Sequence, residues 1–196
     1  MLEHVPLDKR LNHMESVVTD IKFRSNKGLG NDIPYYIFDY DPKSELVVSD
    51  YISSLIKRVN GQNLGFSIVE YNIYDMILNI LEEKGFLQKC FEMEEKYGHD
   101  RLVKAISNML RMAESTNPIV ETIVKDTPPN SIVFLTGIGQ SYPIVRAHNI
   151  LNNLQQVFDT MPVVMFYPGN YTGQELNLFG TIEEDNYYRA FPFPKP

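Results

Sequence analysis

Three short segments hold the residues best suited to chemistry, and each follows an apolar run. The first is Phe38-Asp39-Tyr40-Asp41-Pro42-Lys43-Ser44. Two aspartates two residues apart offer oxygen ligands to a divalent cation. The same residues also read as chain turning, because Asp41 is a good N-cap and Pro42 suits the first helical position. The second segment runs from Thr136 through Gly137, Gly139 and Tyr142, with Arg146 and His148 beyond it. A Gly-x-Gly between a strand and a helix is part of a dinucleotide fingerprint, but Tyr142 stands where the third glycine belongs and is too bulky for close helix–strand packing. Helix N-termini attract anions, so Gly137, Gly139, Arg146 and His148 are candidates for binding a phosphate or a partner's carboxylate. Turn geometry with surface polar groups is the other reading. The third segment is Phe166-Tyr167-Pro168-Gly169-Asn170-Tyr171. Pro168-Gly169 signals a type II turn. Tyr167 and Tyr171 either present a flat aromatic surface to a protein partner or pack back against the second segment.

Several chemistries are disfavoured. The first segment sits where a P-loop would, yet lacks Gly-x-x-x-x-Gly-Lys-Ser/Thr, and its aspartates would repel a phosphate. His4, His13, His99 and His148 are scattered without zinc spacing, and no Gly-x-Ser-x-Gly elbow is present. No catalytic residue, metal or cofactor is therefore expected. Glu82-Glu83 and Glu183-Glu184-Asp185 read as solvated charges. The single cysteine, Cys90, reads as a core thiol in a reducing compartment. A charge of −7, from 25 acids against 18 bases, disfavours direct binding to nucleic acid. The N-terminus has no apolar signal core, and no run approaches the roughly 18 apolar residues of a membrane span. A cytoplasmic location is expected.

The elements that must position these segments follow from periodicity. Leu7, Leu11, Met14, Val17, Val18 and Ile21 recur at helical spacing within residues 1–25. Residues 34–39, 65–70, 131–136 and 161–167 read as strands, with a fifth, more exposed strand near Glu175–Gly180. Helices are expected after Asp41, with Leu46 among its core residues, after Asn72, and from about Pro143 to Phe158. That last helix would put Arg146 one turn in. Residues 86–127 form an all-helical insertion without strand signal, and 186–196 an aromatic, proline-rich tail that cannot be a central strand. Strand–helix alternation in 196 residues predicts one α/β domain. Its three layers hold a mostly parallel sheet of four to five strands with helices on both faces, Rossmann-like or P-loop-like without a phosphate-binding motif.

The C-terminal third carries a resemblance. Gly137-Ile-Gly139 followed by Pro143-Ile-Val-Arg146-Ala-His148-Asn-Ile-Leu151, then Phe166-Tyr-Pro-Gly169-x-Tyr171-x-Gly173, then Asp185-Asn-Tyr187-Tyr188-Arg189-Ala-Phe191, resemble the BrxB family of BREX phage-defence systems in order and spacing. The extra length around residues 86–130 has no match in that resemblance. Membership implies a small, non-catalytic member that binds other BREX proteins, among them a phosphatase-like component, a methyltransferase and a large ATPase. A second copy of the chain is a further candidate partner. Tyr187, Tyr188 and Arg189 join Tyr167, Gly169 and Tyr171 as candidate partner-binding residues.

Overall fold

A computed structural model of the chain describes residues 5–25, 34–112, 114, 117–184, 190–194 and 196. Near the N-terminus, α1 (Leu7–Thr19) and the short α2 (Ile21–Arg24) lead to β1 (Tyr35–Tyr40). One turn of 3-10 helix (Pro42–Ser44) then enters α3 (Glu45–Gly61). After β2 (Ser67–Asn72) come four helices, α4 (Ile73–Glu83), α5 (Leu87–Tyr97), α6 (His99–Met109) and α7 (Pro118–Asp126). Next are β3 (Ser131–Thr136), α8 (Ile138–Ser141), α9 (Ala147–Gln155) and β4 (Val163–Tyr171). The chain closes with β5 (Leu176–Leu178), β6 (Ile182–Glu184) and β7 (Phe191–Pro192).

The sheet runs β2-β3-β4-β1-β7, with every neighbour parallel. β5 pairs antiparallel with the far end of β4, and β6 with β5. This is the expected mostly parallel, three-layer α/β architecture, with seven strands in place of four to five. Strand alternation divides the core in two. Tyr36, Phe38, Tyr40, Ile132, Phe134, Val164 and Phe166 pack with Leu11, Met14, Val18, Val48, Ile52 and Leu55 of α1 and α3. Tyr35, Ile37, Val133, Leu135, Val163, Met165 and Tyr167 pack with α4, α6, α7 and α9. All six residues of β3 are buried, which is why its sequence is a continuous apolar run. β7 lies at the sheet margin, where Pro192 removes no interior ladder bond.

Several expectations change. The helix expected from Pro143 begins at Ala147, with Arg146 at its N-cap. The preceding segment instead makes the four-residue α8 and a turn containing the cis Tyr142–Pro143 bond. Pro168-Gly169 is no turn. Both residues lie inside β4, which runs on to Tyr171 because β5 pairs with its last three residues. The fifth strand is not exposed, since Leu176 and Leu178 are buried. Ile21 is exposed because α1 stops at Thr19, and Leu46 is 79% exposed on the outer side of α3. Cys90 is half-buried against the core, and burial pushes its thiol upward.

Candidate functional site

A parallel sheet points its strand carboxyl ends to one side, where ligands usually bind. The register places Tyr40 beside Pro168 and Asn72 beside Thr136. The three sequence-flagged segments therefore meet at one edge, although the first lies far from the other two along the chain.

Asp39 is the junction. Its Oδ1 accepts from Arg10 Nη2 at 2.8 Å, and its Oδ2 accepts from the Tyr171 N–H at 3.2 Å. One carboxylate thus joins α1, β1 and β4. The Arg10 guanidinium also lies 4.5 Å from the Phe38 ring centroid. Asp41 caps the 3-10 turn, accepting from the Lys43 N–H at 2.9 Å. The chain-turning reading of Asp41 is the one the geometry supports. Among the described residues no group of three His, Cys, Asp or Glu side chains converges as metal ligands do. Tyr40 donates its hydroxyl to Glu45 Oε2 at 2.7 Å, and burial, reinforced by that carboxylate, drives its phenol far above the ordinary range.

Around this junction lies a cavity of about 460 Å³, within the size range of ligand sites. Its walls include Leu7, Arg10, Asp39, Asp41, Ser44, Asn170 and Phe179. A smaller cavity of about 120 Å³ lies further along the same edge, near Glu45, Glu70, Thr136 and Gly137. There the Thr136 hydroxyl donates to Glu70 Oε1 at 2.7 Å.

The sequence-flagged residues fall into four groups. Gly137 and Gly139 serve close packing. Gly137 has φ +72°, and an added Cβ would lie 2.1 Å from Asn72 Oδ1. A Cβ on Gly139 would lie 2.8 Å from Pro168 and 3.0 Å from the Phe179 ring. Tyr167, Gly169 and Tyr171 are buried, which corrects their assignment to a partner surface. Tyr171 donates its hydroxyl inward to the Ala190 carbonyl at 2.7 Å. Arg146 is exposed and His148 half-buried at the start of α9, outside both cavities. The loop before them is tied to α6 by the Ser107 hydroxyl, which donates to the Ile144 carbonyl at 2.6 Å. Tyr187, Tyr188 and Arg189 lie outside the described residues.

Arg10, Asn170 and Phe179 were not flagged by sequence. Nothing in the sequence links residue 10 to residue 39. Phe179-Gly180 between Leu176-Asn-Leu and Thr-Ile does carry a hairpin signal, a two-residue turn ending in glycine between short apolar stretches. No described helix is long and apolar enough to cross a membrane.

Comparison with known proteins bears on the C-terminal motifs. A family model described as "BREX protein BrxB" matches residues 69–193. A protein of that name from Bacillus cereus (strain H3081.97) is 48% identical over 185 residues, covering 94% of this chain and 96% of its own. One from Escherichia coli O9:H4 (strain HS) is 31% identical over 185 residues, covering 94% and 90%. Residues 86–130 fall inside the matched range. No solved structure matches the chain.

Proposed function

This chain belongs to the BrxB family and is a BREX component, and from that premise we propose that it is a cytoplasmic, non-catalytic adaptor that docks other BREX proteins. The observation that carries the reading is α5. None of its eleven residues is buried, yet it holds Phe91 at 57% exposure and Tyr97 at 47%, with Phe86 just before it at 37%. Large rings left in water on a helix that packs by one flank suit a protein interface. Lys89 stands by the Phe86 ring, and Lys96 and Arg101 by that of Tyr97, so cations flank these exposed rings. The phosphatase-like component, the methyltransferase and the large ATPase are the proposed partners, with self-association as a further mode.

Affinity purification of the tagged chain from cells carrying its operon tests this. Stoichiometric recovery of another BREX protein is expected. A Phe91→Ala/Tyr97→Ala double variant is expected to stay folded and lose that protein, as is a Tyr187→Ala/Tyr188→Ala/Arg189→Ala triple variant. Wild-type recovery by either variant removes the surface it carries from the interface, and recovery of the bare chain removes the adaptor reading. A second reading, a nucleotide-sensing domain, draws on the cavity of about 460 Å³ at the carboxyl edge. Against it, the two aspartates there face one arginine that is already paired.

A further inference from the structure

The wall of the larger cavity contains Phe179, whose backbone conformation its side chain does not favour. Phe179 has φ +55°, a region that bulky side chains rarely adopt and that asparagine, aspartate and glycine fill readily. It begins the turn Leu178–Thr181, closed by the Thr181 N–H donating to the Leu178 carbonyl at 3.1 Å. Phe179 and Gly180 both have positive φ, as a type I′ turn requires, and asparagine is the residue preferred at the first position. The ring is only partly covered, since the residue is 40% exposed. One edge covers Gly139 and the remainder faces outward at the cavity.

The cavity's charges add a direction. Among the described residues its lining holds one cation, Arg10, against two carboxylates, Asp39 and Asp41. Arg10 and Asp39 neutralise each other at 2.8 Å, and both Asp39 oxygens are occupied. Asp41 uses Oδ1 on the Lys43 N–H and is exposed. Among the described residues, those left to meet an incoming group include Asp41, Ser44, Asn170 and Phe179. The carboxylate of Asp41 opposes a phosphate there. A flat cation with several donors and no acceptor suits that lining, because a guanidinium stacks on an aromatic face and pairs with a carboxylate. An ammonium has the charge without the plane.

We propose that this cavity receives an arginine side chain presented by a partner protein, its guanidinium stacked on Phe179 and paired with Asp41. The proposal rests on the adaptor reading and names the chemistry of one contact within it. It agrees with the chain's −7 charge, which favours basic partner surfaces.

Two variants of the full chain separate this from a packing role. Asp41→Asn removes the charge while keeping a good N-cap. Phe179→Asn removes the ring while placing a favoured residue at the positive φ. Both are expected to melt at or above the wild-type temperature, yet to lose co-purification of the BREX partner by about tenfold or more. N-acetyl-arginine methylamide is expected to shift the amide resonances of Asn170 and Gly180 in the wild type and in neither variant, and the isosteric, neutral citrulline analogue is expected to shift none. Wild-type partner recovery by both variants overturns the proposal while leaving the adaptor reading standing. So does equal response to citrulline, or tighter occupation by ATP, which supports the nucleotide reading instead. No partner with the wild-type chain overturns both together.

Discussion

Asp39 shows how one side chain can look catalytic in sequence and be structural in the fold. Two residues from Asp41, it has the spacing of a metal-ligand pair, yet its oxygens bind the Arg10 guanidinium and the Tyr171 N–H. Gly169 is similar. It reads as half of a Pro-Gly turn, but it has a strand conformation and is required for proximity. An added Cβ would lie 2.1 Å from the Asn177 carbonyl oxygen, a backbone atom that cannot rotate away. Gly169→Ala is therefore expected to destabilise the protein by about 1–3 kcal/mol, the usual range for overpacking. Urea unfolding should show a lower midpoint at unchanged slope. An unchanged midpoint would mean that β5 does not sit this close to β4 in solution.

The junctions between elements interlock. Asn72 ends β2 and caps α4, its Oδ1 accepting from the Tyr74 and Asp75 N–H groups at 3.0 and 3.2 Å. That same oxygen occupies the space a side chain on Gly137 would need, so the β2–α4 cap and the β3–α8 turn share one position. Asn72→Ala is expected to cost about 1 kcal/mol through the lost cap. Gly137→Ala should cost more, combining a positive φ with the clash. In the double variant the clash is relieved, so its cost should fall below the sum of the two. A double-mutant cycle read by thermal or urea unfolding measures that difference. Strict additivity would mean the two junctions are independent.

Across the whole molecule, one sheet separates two cores, and each core buries the body of a tyrosine whose hydroxyl reaches a fixed acceptor. Tyr35 donates to the Phe158 carbonyl in one, and Tyr40 donates to Glu45 at the margin of the other. Burial, the larger cause, and nearby carboxylates, Asp159 for Tyr35 and Glu45 for Tyr40, push both phenols far above their ordinary value of about 10. Groups whose pKa is raised on folding contribute stability that is fully present below their unfolded pKa. It is lost above that value, because the unfolded chain releases the proton and the folded chain does not. Unfolding free energy is thus expected to fall between about pH 9 and pH 11. The fall should be smaller in Tyr35→Phe/Tyr40→Phe when both are compared by urea titration. An equally steep fall in that variant would assign the loss to other groups.

The sequence alone carried the α/β class, four main strands, and the helix start at Asn72, because these depend on neighbours within a few residues. Alternation, helical spacing and cap chemistry are local properties of the chain. It also carried the BrxB family, through motifs between residues 137 and 191 that a family model over residues 69–193 matches. The fold alone decided which side chains meet. Arg10 reaches Asp39 across 29 positions and Tyr171 reaches it across 132, and no periodicity encodes either contact. The burial of Tyr167 and Tyr171, the continuation of β4 through Pro168 and Gly169, and the placing of Phe179 over Gly139 follow from the β5 hairpin folding back on β4. Long-range strand pairing sets which face a residue presents, and a short sequence window does not contain the partner strand.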